Sequence, residues 1–73
     1  MRVLITFGQC HVHSINGHTV DKDCVAAIKC QSPKEGRDLA FEWFDGKFHS
    51  SYVEGMEPKD LMDYYPRGKI EVN

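Results

Sequence analysis

Within residues 2–30, Val3, Ile5 and Phe7 before Asn16-Gly17, and Ala26, Ile28 and Cys30 after it, are apolar at every second residue. That dipeptide tolerates the two successive positive φ angles of a type I′ turn, so the segment reads as one long β-hairpin with its tip there. With that tip, facing residues sum to 33: Ile15 faces His18, His13 faces Val20, Phe7 faces Ala26, Ile5 faces Ile28 and Val3 faces Cys30. Side chains alternate between the two faces of a strand, and this register gathers Val3, Ile5, Phe7, Ala26, Ile28 and Cys30 on one apolar face. The polar stretch from Thr19 to Asp23 loosens the pattern toward the tip.

The period then becomes helical. Ser32-Pro33-Lys34-Glu35 combines an N-cap serine, a proline at the first helical position and a glutamate three residues after the cap. Leu39, Ala40, Trp43 and Phe44 form one apolar stripe, and Asp45-Gly46 supplies a left-handed end. A helix is therefore predicted from about Pro33 to Asp45, packed on the apolar face of the hairpin with Trp43 as its core anchor. Lys47 to Val53 alternates as a strand, with Phe48, Ser50 and Tyr52 on one face and His49, Ser51 and Val53 on the other. Pro58 to Tyr65 makes up to two helical turns before Pro66, and Lys69 to Val72 alternates as a last strand.

The order is thus β-β-α-β-(short α)-β. It predicts a single α+β domain over residues 1–73: a two-layer sandwich of an antiparallel sheet of about four strands with one main helix on one face. Leu4, Val25 and Ala27 fall on the face away from that helix, together with Thr6 and Cys10. An apolar sheet face calls for cover, and a homodimer is the expected means.

Composition narrows the function. The 73 residues weigh 8.4 kDa, so the core is small and the stability margin slim. A content of 41% hydrophobic and 27% charged residues marks a folded chain rather than a disordered one. Nine basic against eleven acidic side chains give a net charge of −2, without the concentrated basic surface that general nucleic-acid binding needs. No apolar run approaches the roughly 18 to 20 residues of a membrane span. The opening Met1 to Phe7 is too short for the core of a secretory leader, so a cytoplasmic protein is expected. Cys10, Cys24 and Cys30 are odd in number and lack a C-x-x-C pair, which predicts reduced thiols rather than a disulfide framework.

Three features carry candidate chemistry. His11-Val12-His13 places two imidazoles on one side of a strand, and the hairpin register adds His18. They read as solvated strand residues, as a metal-free polar binding site, or as a metal site formed by His11, His13 and His18. Phe7-Gly8-Gln9 puts a glycine within a strand, the mark of a bulge or of a close approach to backbone, and Gln9 turns the apolar face polar. Tyr64-Tyr65-Pro66-Arg67-Gly68-Lys69 sets aromatic rings beside cations in a turn, suited to stacking and anion contact, or else an ordinary loop capping the core. No nucleotide-binding loop, zinc-protease helix or nucleophile elbow is present, so no cofactor is expected.

Taken together, Thr6-Phe7-Gly8-Gln9-x-His11-x-His13, Phe44-Asp45-Gly46-Lys47-Phe48, Tyr52 and Tyr65-Pro66-Arg67-Gly68 resemble a loose family of small uncharacterised bacteriophage proteins. The family tends to a shorter Phe-Gly where this chain has Asp45-Gly46. The resemblance implies expression in the cytoplasm of an infected bacterium and a role similar to inhibitors of host defence or host metabolism. Two functions follow. One is a binding protein that acts by occupancy, taking a host protein or a small anionic nucleotide-like signal at Gln9, His11, His13, Tyr52, Tyr65 and Arg67. The other is a small histidine-dependent hydrolase or phosphodiesterase, with or without metal, in which His11 and His13 are the acid-base groups.

Overall fold

Two uninterrupted apolar runs organise the chain. In the computed structural model, which describes residues 1–73, strands β1 (Arg2–Thr6) and β4 (Cys24–Lys29) pair antiparallel at the centre of a four-stranded sheet. The order across the sheet is β5 (Ser50–Val53), β1, β4, β6 (Gly68–Glu71). Runs such as Val3-Leu4-Ile5 and Cys24-Val25-Ala26-Ala27-Ile28 suit strands covered on both faces, and every one of these residues is buried.

β5 pairs antiparallel with β1, and β6 pairs parallel with β4. The α+β class with one main helix stands, whereas the fully antiparallel sheet is corrected at β6: the sheet is mixed. The reason lies in the connections. β4 and β5 run the same way, as do β5 and β6, and strands of like direction need a long crossover rather than a tight turn. Helix α1 (Pro33–Phe44) makes the first crossover on one face of the sheet. Residues 54–67 make the second on the other face, with a single 3₁₀ turn at Leu61–Tyr64 where two α-helical turns were expected.

That second crossover overturns the expectation of an open face. Leu4, Val25 and Ala27 are 0% exposed, packed with Leu61 and flanked by Tyr52, Met62 and Tyr65. Thr6 is buried too, and Cys10 lies exposed in a loop. The Leu4, Val25 and Ala27 surface is thus covered from within the chain.

The hairpin tip follows the predicted register. β2 (His13–Ile15) and β3 (His18–Val20) pair His13 with Val20 and Ile15 with His18, around Asn16 at φ 50° and Gly17 at φ 81°. At the base the pairing is shifted: Val3 faces Ile28 and Ile5 faces Ala26, so facing residues sum to 31. The outgoing arm takes seven steps from Thr6 to His13, while the return takes five from Val20 to Val25. A turn at Gly8–His11, closed by the His11 N–H on the Gly8 carbonyl at 3.1 Å, absorbs the two extra residues. A shift of two leaves each side chain on its face, which is why the apolar grouping survives the corrected register.

α1 is capped as its sequence predicts, with Ser32 Oγ accepting from the Glu35 N–H at 3.2 Å. Glu35 reaches one residue further back than a reciprocal capping box requires, accepting from the Gln31 N–H at 3.1 Å. The buried line of the helix is Gly36, Ala40 and Phe44. Phe44 is 0% exposed and meets Phe7 edge-on at 5.1 Å between ring centres, whereas Trp43 is only half-buried at the margin. Phe44, not Trp43, is therefore the core anchor. Phe48 precedes β5 and packs on the helix side of the sheet, not with Tyr52 as strand alternation predicted.

Gly36 lets the helix sit this close. A methyl group there would lie 2.8 Å from Val3 Cβ and 3.0 Å from Cys30 Sγ. Gly36→Ala is expected to destabilise by about 1–3 kcal/mol through overpacking, outweighing a helix-propensity gain of about 1 kcal/mol; a raised melting temperature would contradict the close approach. Phe44→Ala is expected to cost about 3–5 kcal/mol and Trp43→Ala clearly less, as measured by urea unfolding of the two variants side by side.

Candidate functional site

The six residues expected to line one site are distributed over separate parts of the fold. Gln9 is exposed in the Gly8–His11 turn. His11 and His13 stand near the end of α1, 6.3 Å apart between ring centres. His13 is wedged against the core, 5.1 Å from Phe44 and 5.5 Å from Phe7. Its Nε2 lies 2.9 Å from the Lys47 carbonyl; a carbonyl only accepts, so Nε2 carries the proton and donates. His13 thus pins the hairpin to the chain leaving α1. His11 Nδ1 is buried and has no hydrogen-bond partner.

Tyr52 and Tyr65 pack on the opposite face of the sheet, against the Leu4, Val25 and Ala27 layer. Arg67 is engaged at a corner. Its Nη2 donates to the Thr19 carbonyl at 3.0 Å, its Nη1 meets Asp21 Oδ2 at 3.2 Å, and its backbone N–H donates to the Asp23 carbonyl at 2.8 Å. The Asp23 N–H first, and then the Arg67 guanidinium, hold the Asp21 carboxyl below its ordinary value. The structure brings His11 and His13 together and places both tyrosines on the far side of the sheet from them. His18 sits near the hairpin tip beside Asn16, and no three His, Cys, Asp or Glu side chains converge to hold a metal ion. Burial pushes the Cys24 thiol above its ordinary value, away from the reactive thiolate.

A second charged group stands at the other end of the sheet. Arg2 donates from Nε to Glu54 Oε1 at 2.8 Å and from Nη1 to Glu71 Oε1 at 2.8 Å, while Lys69 Nζ reaches Glu54 Oε2 at 3.0 Å. The Arg2 contact foremost, then Lys69, holds the Glu54 carboxyl down at about 2. These charges satisfy one another and tie β1, β6 and the chain after β5 together. Asn73 extends the same edge: its Nδ2 donates to the Lys29 carbonyl at 3.0 Å and its Oδ1 accepts from the Lys29 N–H at 2.7 Å.

The side of the molecule formed by α1 and β5 is different in kind. One helical row, Pro33, Arg37 and Phe41, flanks the buried line and faces the sheet edge. A cleft of about 240 Å³ lies between them, lined by Val3, Pro33, Arg37, Ser51, Tyr52 and Val53. Phe41 is 53% exposed and meets Phe48 at 5.2 Å between ring centres. Lys34 is paired with Asp38, but Arg37 makes no ion pair, unlike Arg2 and Arg67. Sequence reasoning missed Arg37, Phe41, Ser51 and Val53. The available signal was Phe41, an aromatic residue off the stripe that buries the helix.

No helix is long and apolar enough to cross a membrane. No family model, curated protein or solved structure matches this chain.

The Glu54 cluster carries a pH dependence of definite sign. A folded-state value of about 2 against an ordinary 4.5 means that its stabilisation is fully present above about 4.5 and is lost as pH falls toward 2. Urea midpoints of the parent are expected to fall through that window, and Glu54→Gln is expected to be less stable at neutral pH with a shallower acid decline. Parallel acid profiles for the two proteins would contradict the assignment.

Proposed function

We propose that this protein acts by occupancy, binding a protein of a bacterial host and so counteracting a host defence or host factor. The observation that carries this reading is the α1–β5 side, where an unpaired arginine, an exposed phenylalanine and a cleft lie together at an open sheet edge. When a partner buries them, arginine and aromatic side chains are among those that carry most of the binding energy at protein interfaces. The resemblance of the Thr6–His13, Phe44–Phe48 and Tyr65–Gly68 words to bacteriophage proteins supplies the host.

A nucleotide-like ligand finds less support. Arg67, the cation meant for its phosphate, already holds Asp21 and Thr19, and Tyr65 packs in the layer that covers the sheet. For the hydrolase reading, the partnerless Nδ1 of His11 beside His13 is the one favourable feature.

The test is affinity capture from bacterial lysate with the parent, Arg37→Glu and Phe41→Asp. Both side chains are exposed, so both variants are expected to keep the parent's melting temperature within a few degrees. The expected outcome is a defined host protein retained by the parent and lost by both variants. Identical capture by all three would contradict the reading, and cyclic-dinucleotide hydrolysis abolished by His11→Ala would favour the hydrolase instead.

A further inference from the structure

The two edges of the sheet are finished differently. β6 carries Lys69 and Glu71, is bound into the Arg2–Glu54 cluster, and has the Asn16 side chain donating to the Val72 carbonyl beside it. Charges and covering contacts of this sort are how proteins blunt an edge against further pairing. β5 reads Ser50-Ser51-Tyr52-Val53, without a charge or a proline, and pairs only with β1.

The direction of its free backbone groups follows from one bond. The Glu54 N–H donates to the Arg2 carbonyl at 3.0 Å, which makes Arg2 and Glu54 a hydrogen-bonded pair. Such pairs alternate along an antiparallel ladder, so Leu4 and Tyr52 form the next one. Ser51 and Val53 therefore turn their backbone N–H and C=O groups away from β1, toward open space at the edge. The Val53 carbonyl accepts a turn bond from the Met56 N–H at 2.9 Å, which leaves both N–H groups and the Ser51 carbonyl to offer.

Above this edge lies the row Pro33, Arg37 and Phe41. Pro33 and Arg37 line the cleft with Ser51 and Val53, and Phe41 meets Phe48, which precedes β5, so the row runs alongside β5 in the opposite direction. Residues four apart on a helix are separated by about 6 Å, and alternate residues of a strand by about 6.6 to 6.8 Å. An extended chain laid on β5 thus presents successive same-side residues at nearly the repeat of the row. The residue over Arg37 meets an arginine without an ion pair, and its neighbours on the same side meet Phe41 and Pro33.

We infer that β5 accepts an extended segment of the partner protein by strand addition, the segment carrying an aspartate or glutamate over Arg37 with apolar residues two positions to either side. Main-chain bonds to Ser51 and Val53 supply affinity and the helical row supplies selectivity. The inference rests on the occupancy reading and gives its partner a chemical description. A second copy is the poorer occupant, because a two-fold contact here sets the same unpaired Arg37 against itself.

The experiment is selection of a random peptide display library on the immobilised parent protein, with the selected peptides then measured on Arg37→Glu and on Ser51→Pro. Ser51→Pro removes an outward N–H that β1 does not use, so the sheet keeps its pairing. Selected peptides are expected to share an acidic position flanked at two residues by apolar ones and to lack proline across that stretch. Loss of the charge-assisted contact is expected to weaken binding about tenfold to hundredfold on Arg37→Glu, and Ser51→Pro at least about tenfold. Amide exchange at Ser51 and Val53 is expected to slow on binding. Selection without a shared pattern, binding indifferent to either variant, or unchanged exchange at those two amides would each overturn the inference. So would a doubled mass in light scattering with both amides already protected in the free protein, since the occupant is then a second copy. Lysate capture that depends on Arg37 without protection of Ser51 and Val53 would leave the occupancy reading standing and remove strand addition alone.

Discussion

Burial of the β1–β4 pair on both faces is the constraint from which the rest of the structure follows. A chain of 73 residues builds a small core, and eight of its fourteen buried apolar residues lie in these two strands. Both faces then need cover from connections rather than from added domains. α1 covers one face and approaches β1 closely because Gly36 presents no side chain to Val3. The return through Leu61 covers the other. Each cover is also a crossover between strands of like direction, so sheet order and layer order express a single requirement.

Charge placement follows from where the covers leave gaps. At one end of the sheet Arg2, Glu54, Lys69 and Glu71 compensate one another and hold β6 against the body. At the hairpin corner Arg67 bridges Asp21 and the Thr19 carbonyl, tying the start of β6 to the hairpin. Arg37 is the one arginine outside these arrangements, and it stands over the one sheet edge without charged protection. Arg37 thus lacks the compensation that holds Arg2 and Arg67 in place.

What the sequence disclosed was local. Asn16-Gly17 placed the hairpin tip, and Ser32-Pro33 and Asp45-Gly46 placed the helix ends, because each of these signals depends on the backbone of its own few residues. The two-residue shift at the hairpin base was hidden, since alternation of faces is blind to an even shift and only the Gly8–His11 turn reveals it. The parallel pairing of β6 was hidden as well, being decided by where residues 54–67 deliver the chain, beside β4 and in its direction. Site residues were grouped by chemical type, and distance in space then divided them: the histidines lie against Phe44, the tyrosines across the sheet from it, and Arg67 at a corner. The open edge had no motif to announce it, because an edge is defined by what does not pair beside it.

In the free protein β1 and β4 are sealed from both sides while β5 is bonded on one side only, a difference that residue-resolved hydrogen exchange reads amide by amide. Exchange is expected to be slowest at the amides of β1 and β4, and to alternate within β5: protection at Tyr52, whose N–H faces Leu4, and rapid exchange at Ser51 and Val53 on either side of it. Uniform protection along β5, or exchange in β1 as fast as at the edge, would contradict this arrangement.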